Sequence, residues 1–154
     1  MKHFMNCFKD LAKERNELVM RHARGRILDI GCGKENYITR HRFGAYGIDK
    51  GDIFPSCNLF DTVAMVASFN YMTRAEQNAY LESIYKVLAP GGLLIITCIT
   101  PLGSFLKRLT HKDDEVEHGI SAKEICYRVF KHYFFIKTIK SFNFGLNNLL
   151  VFIK

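Results

Sequence analysis

The stretch from Arg26 to Arg40, RILDIGCGKENYITR, runs an apolar burst, Ile27-Leu28-Asp29-Ile30, straight into Gly31-Cys32-Gly33. Few architectures place two glycines directly behind a short buried strand. The pattern predicts a strand whose carboxyl end lets the backbone approach a ligand closely. Amides in such a turn can receive an anion, either a phosphate or a carboxylate. Asp49 ends the next apolar run, 16 residues after Gly33. An acidic side chain at that place accepts both hydroxyls of a ribose. The expected ligand therefore carries an anionic group and a ribose.

The rest of the chain alternates helices and strands. Residues 3–22 pattern as an amphipathic helix, with Phe4, Phe8, Leu11, Leu18 and Val19 on one face and Lys9, Lys13, Glu14 and Glu17 opposite. Strands are predicted at 26–30, 45–48 and 62–67. The last of these, TVAMVA, is apolar on both faces and suits a central parallel strand. Glu35–His41 leaves room only for a short helix. Thr73-Arg-Ala-Glu76 reads as a capping box, and the helix it opens is expected to stop at Ala89-Pro90-Gly91-Gly92. Leu93–Cys98 is another buried strand, followed by a polar loop over 100–120. Ser121-Ala-Lys-Glu124 is a second capping box. Phe134–Phe144 and Leu149–Ile153, with Gly145-Leu146-Asn147-Asn148 between them, read as a hairpin.

The expected fold is one α/β domain. It has a Rossmann-like, mostly parallel twisted sheet, helices on both faces and a C-terminal antiparallel hairpin. Its parts are an N-terminal helix (1–24), a cofactor-binding core (25–100), a cover (101–120) and a helix plus hairpin (121–154). Ligands in such sheets sit at the carboxyl ends of the strands. Asp29 to Gly33, Asp49 and Ser68 to Tyr71 all fall there.

Two ligand classes fit the glycine turn. Dinucleotides want G-x-G-x-x-G, but Gly31-Cys-Gly33-Lys-Glu-Asn36 lacks the last glycine, and a pyrophosphate would meet Glu35. S-adenosylmethionine has no phosphate. Its carboxylate lies beside an ammonium that Asp29 or Glu35 can serve, so the missing glycine favours it.

At this point the residues resemble the class I S-adenosylmethionine-dependent methyltransferases, of the small-molecule, methyltransferase-11-like type. LDIGCGKENY is similar to the first motif, and YGIDK to the second. FDTVAMVASFNYM is similar to the fourth-strand motif, VLAPGGLLIIT to the turn and fifth strand, and FNFGLNNLLVFIK to the closing hairpin. The resemblance runs from about Arg26 to Lys154. It implies S-adenosylmethionine as cofactor and methyl transfer to an O, N, S or C nucleophile. It places Asp29, Gly31, Cys32, Gly33, Asp49, Lys50, Asp52, Ile53, Ala67 and Ser68 around the cofactor, with Asp49 on the ribose, Asp52-Ile53 on the adenine, and Ala67 and Ser68 on the methionine side.

The sequence departs from that family in two ways. Many members carry Glu-His after the fourth strand, and here Asn70-Tyr71 stand instead. Asn70, Tyr71 and His118 are then the candidates to orient or deprotonate an acceptor. The flanking sequence also lacks the Pro-Pro of amino-directed nucleic-acid methylases and the Pro-Cys of cytosine C5 chemistry. The second departure is a deletion. Only 11 residues separate Asp49 from Asp61, too few for a crossover helix plus a return strand. The outer third strand is therefore expected to be missing or reduced.

Composition limits the function classes further. Five cysteines form no CxxC pair, so neither a zinc site nor a disulfide framework is expected, and reduced cytoplasmic thiols are the simple reading. The net charge is +7, but the basic residues are not clustered, which disfavours nucleic acid as partner. No apolar run reaches the length of a membrane span. The expected partner is a small-molecule or lipid-like acceptor, an anionic one included. The chain is expected to be a monomer, or a dimer through the exposed sheet edge. A second class of function is a catalytically idle module that binds the cofactor or a protein partner. A nicotinamide-dependent oxidoreductase is a third, disfavoured by the glycine pattern. Residues 101–120 follow the fifth strand and are too long for a simple connection. They are expected to form a cover with Phe105, Leu106 and Leu109 as its apolar face, Gly103 and Gly119 as hinges, and Lys107, Arg108 and Lys112 toward an anionic acceptor.

Overall fold

The computed structural model describes residues 2–34, 36–49, 51–56, 60–110 and 119–154. In chain order the elements are α1 (Lys2–His22), β1 (Ile27–Ile30), α2 (Tyr37–His41), β2 (Tyr46–Ile48), β3 (Phe60–Val66), a 3-10 turn (Phe69–Tyr71), α3 (Arg74–Val87), β4 (Leu88–Ile99), α4 (Pro101–Thr110), α5 (Ala122–Phe130), β5 (Phe135–Phe142) and β6 (Asn147–Ile153). They build a six-stranded sheet in the order β2-β1-β3-β4-β6-β5. The first four strands are parallel, and β6 runs antiparallel between β4 and β5.

Both faces of the sheet are covered. Leu28, Val63, Leu94 and Ile96 pack with Leu81 and Ile84 of α3 and Ile125 and Val129 of α5. On the other face Ile27, Ala64 and Ile95 pack with Leu18 and Val19 of α1. The alternate residues of β3 and β4 are thus buried on opposite sides, which is why neither strand alternates with polar residues.

The expected α/β fold is present, and the sheet ends at β2 among the described residues. Residues 51–56 form neither helix nor strand. The short span between Asp49 and Asp61 leaves no length for the missing pair of elements. Among the described residues, no helix is long and apolar enough to cross a membrane.

Four local expectations need correction. First, α3 does end at Val87, but the chain passes at once into β4 instead of stopping at Ala89–Gly92. Leu88 pairs with Phe60, the ladder then slips, and Thr62 pairs with Leu93. The slip is a tight bulge. A Cβ on Gly92 would lie 2.4 Å from Leu88 Cδ2. Lys154 Nζ donates to the carbonyls of Tyr85 and Leu88, satisfying the end of α3 from across the sheet.

Second, the expected polar loop after β4 opens as α4. Proline suits a first helical position, and Leu102, Phe105 and Leu106 recur at helical spacing. Gly103 and Gly119 stand at close approaches and not at open hinges. Their Cβ atoms would lie 2.5 Å from Leu146 O and 2.6 Å from Pro101 Cα. Residues 111–118 of the expected cover, including Lys112, lie outside the described residues.

Third, the hairpin turns at Asn143–Leu146, two residues earlier than expected, on left-handed Asn143, Phe144 and Gly145. Fourth, only half of the second capping box forms. Ser121 Oγ accepts from the Glu124 amide, while the Glu124 carboxylate receives Arg128 and pairs with Arg74 at 3.6 Å.

Candidate functional site

The carboxyl ends of β1, β2 and β3 meet at one edge of the sheet. Gly31 follows β1 with φ 75°, and a Cβ there would sit 2.4 Å from Ser68 Cβ. Ser68 Oγ donates to the Ile30 carbonyl at 2.8 Å. Gly31 is therefore the residue that lets the ends of β1 and β3 touch. Its amide donates to Ile48 O at 2.8 Å, and the Cys32 amide to the same oxygen at 3.4 Å. Two amides expected to face an anion are thus turned to β2. Gly33 has φ 59° and open space around its Cβ position, at the edge where the two cavities lie. Cys32 fills the gap beside Gly47 and Thr39, since a Cβ on Gly47 would meet its Sγ at 2.9 Å. Burial first, then Asp29 and Asp49, push its thiol up, so it is set to pack and not to attack.

Two cavities share Gly31 and Gly33. The smaller, of about 210 Å³, is bordered by Arg15, Asn16, Asp29, Cys32, Lys34 and Tyr37. The larger, of about 360 Å³, is bordered by Asp49, Ala67, Ser68, Tyr71, Glu76 and Tyr80.

Asp29 is the electrostatic centre of the smaller cavity. It is 3% exposed, and its Oδ1 has no hydrogen-bond partner among the described residues. Burial, with Asp49 as the second cause, raises its carboxyl to about 7. An unpaired buried carboxylate is costly, so a ligand cation at this place relieves a penalty already present in the fold. Arg15 and Asn16 bring a guanidinium and an amide to the same cavity from α1. Sequence reasoning missed both. The available signal was a basic residue in line with Leu11 and Val19 at four-residue spacing, on what reads as the apolar face.

Asp49 stands exposed at the end of β2, at the larger cavity. Its amide donates to Asp52 Oδ2 at 2.7 Å, so the Asp52 carboxylate closes the turn after β2. Ile53 is 91% exposed. Neither Asp52 nor Ile53 borders either cavity. Ala67 takes the left-handed conformation, φ 54°, with its amide held by Thr97 O and Oγ1. That conformation costs an alanine about 1–3 kcal/mol and is characteristic of ligand clamps. Asn70 is fully buried, and its Nδ2 donates to Ile99 O at 3.3 Å, tying the 3-10 turn to the end of β4. Tyr71 beside it is half-exposed and borders the larger cavity. Lys50 and His118, like Glu35, lie outside the described residues. The structure thus gathers Asp29, Gly31, Cys32, Gly33, Asp49, Ala67, Ser68 and Tyr71 at one edge. It adds Arg15, Asn16, Glu76 and Tyr80, and it leaves Asn70 packed behind.

No protein-family model matches the sequence, and no curated protein matches it. Solved structures do. An S-adenosylmethionine-dependent methyltransferase of Thermotoga maritima aligns over 100% of both chains at 18% identity, with a TM-score of 0.63. Another from Mesorhizobium loti covers 84% of this chain and 90% of its own, at 13% identity and TM-score 0.63. The 1,6-didemethyltoxoflavin-N1-methyltransferase of Burkholderia thailandensis, solved with 1,6-didemethyltoxoflavin and S-adenosylhomocysteine bound, covers 93% and 77% at 11% identity, with a TM-score of 0.66. At these identities the likeness shows the fold.

Proposed function

We propose that the protein binds S-adenosylmethionine across the two cavities and transfers its methyl group to a small-molecule or lipid-like acceptor. The observation that carries this reading is the buried Asp29 carboxylate, whose Oδ1 has no partner among the described residues, one strand from the exposed Asp49. An amino-acid end with an ammonium fits Asp29, and Arg15 borders the same cavity as a cation for its carboxylate. A ribose fits Asp49, whose two oxygens accept both hydroxyls. A phosphate fits poorly, because the Gly31 and Cys32 amides are spent on Ile48 and Asp29 adds negative charge. This disfavours a dinucleotide independently of the missing glycine. The distant fold relatives named above support the same reading.

When bound, the cofactor supplies an electrophilic methyl group on a sulfonium. The chain's own part is to position the acceptor in line with that group and to exclude water. Tyr71, at the cavity wall, is the candidate to orient the acceptor. Asn70 supports Tyr71 from behind through its bond to Ile99. A base is needed only where the acceptor is a poor nucleophile. The cytoplasm, where thiols stay reduced and the cofactor is made, is the compartment this reading implies. A catalytically idle binding module is the second reading. The buried, engaged Asn70 favours it, since it leaves Tyr71 as the sole described acceptor-side candidate.

Titration calorimetry tests the binding claim. S-adenosylhomocysteine is expected to bind, and NAD far more weakly. Asp49→Ala removes two ribose hydrogen bonds and is expected to cost about 2–4 kcal/mol, roughly 30- to 1000-fold in affinity. Tighter NAD binding overturns the assignment, and an unchanged affinity in the variant places the ribose elsewhere. Methylated product from a metabolite extract supplied with labelled cofactor separates the enzyme from the idle module.

A further inference from the structure

The residues expected to meet the base, Asp52 and Ile53, do not border the larger cavity, and the Asp52 carboxylate is engaged by the Asp49 amide. Among the described residues no strand beyond β2 replaces them. A different wall is in place. The 3-10 turn and the first turns of α3 bring Met72, Glu76 and Tyr80 to the same cavity that Asp49 borders. Glu76 and Tyr80 are four residues apart and share one face of α3. Phe54 packs edge-on against the Tyr80 ring, with centroids 6.0 Å apart, and so steadies it from outside the cavity.

Among the described residues Glu76 is the one carboxylate on that wall, and Thr73 orients it. Its Oε2 accepts from the Thr73 amide at 2.8 Å and from the Thr73 hydroxyl at 2.9 Å, while its own amide donates back to Thr73 Oγ1. An ionised carboxylate accepts about four hydrogen bonds and donates none. A ligand N–H can therefore add to the bonds the carboxylate already accepts, those from Thr73 among them, whereas a ligand carbonyl would face like charge.

We propose, on the reading that the larger cavity holds the nucleoside of S-adenosylmethionine, that Glu76 selects a 6-amino purine by accepting a hydrogen bond from its exocyclic amine. Met72 and Tyr80 form the apolar walls on which the base rests. The helix cap that starts α3 thereby doubles as the base-reading group, a role displaced from the loop after β2 to α3. A site that accepts a ligand hydrogen bond disfavours analogues that lack it, because the bound ligand then covers the acceptor without matching it.

The test compares S-adenosylhomocysteine with S-inosylhomocysteine, which carries an oxygen at the same position, and with the purine analogue lacking the amine. Wild-type protein is expected to bind the adenine compound at least about tenfold tighter than either. Glu76→Gln keeps the capping box, since glutamine serves at that helix position as glutamate does. Its amide both donates and accepts. The adenine–hypoxanthine ratio in the variant is expected to fall to within about threefold. Equal binding of the three compounds by the wild type overturns the assignment without any substitution. So does a preference that persists in Glu76→Gln. If S-adenosylhomocysteine itself does not bind the wild type, the cofactor reading fails and takes this one with it.

Discussion

The Asp29 carboxyl titrates near 7 in the fold, against an ordinary value of 3.8. The folded state holds this proton more tightly than the unfolded chain does. Stability is therefore full below about pH 4, falls as pH rises toward about 7, and then levels. The loss across that window is about 4 kcal/mol. Asp29→Asn removes it. Thermal melts are expected to show the variant more stable than wild type at about pH 8, less so at about pH 5 and nearly equal at about pH 3.5, while its affinity for S-adenosylhomocysteine drops. A wild type that melts higher at the alkaline end would mean that the carboxyl has a partner. Asp29 and Asp49 were legible in the sequence because each stands at the carboxyl end of an apolar run, where a charge needs a reason. Arg15 and Glu76 were not, because their positions depend on how a helix docks on the sheet. The glycine turn stands directly behind β1 as the pattern predicts, and the structure adds a packing cause that no pattern announces: Gly31 lets Ser68 reach the end of β1.

At the scale of elements, α4 is the piece that sequence pattern misjudged most. It is held at its start by small residues, with Gly103 against Leu146 O and Ser104 buried. Leu102, Phe105 and Leu106 face solvent along one side. Apolar spacing announces a helix but does not say whether its stripe points inward. Replacing Phe105 and Leu106 by serine is expected to change unfolding free energy by no more than about 0.5 kcal/mol, as for other exposed positions. If α4 covers the acceptor, cofactor affinity stays intact and methyl transfer is lost. Transfer that survives the double substitution removes α4 from the acceptor's path. The start of β4 was hidden for a related reason. Pro90, Gly91 and Gly92 are stop signals locally, but pairing of Leu88 with Phe60 carries the ladder across them.

For the molecule as a whole, strand order followed from the alternation of apolar runs and caps, and the sheet's early end followed from a count of residues. What no pattern could supply was how the open side of β2 is finished. The Ile48 carbonyl faces β1, so by alternation the peptide groups of Gly47 and Asp49 face outward. Asp52 takes both groups of Asp49, and the Ala45 amide is bonded to Arg42 O. Among the described residues of this edge Gly47 is the one left for strand addition, and one residue is too little to template a partner. Sedimentation equilibrium at roughly 0.1 mM, well above common in vitro working concentrations, is expected to give the monomer mass, and a dimer abolished by Gly47→Pro would show the edge in use. The other half of the sheet carries a timing consequence. Because β6 lies between β4 and β5, β4 has no neighbour on that side until residues 147–153 leave the ribosome. Translation of the intervening stretch takes a few seconds at about 5–20 residues per second. Through that interval the most apolar strand of the nascent chain has a bare edge, and the tunnel and any bound chaperone are what keep it from neighbouring chains.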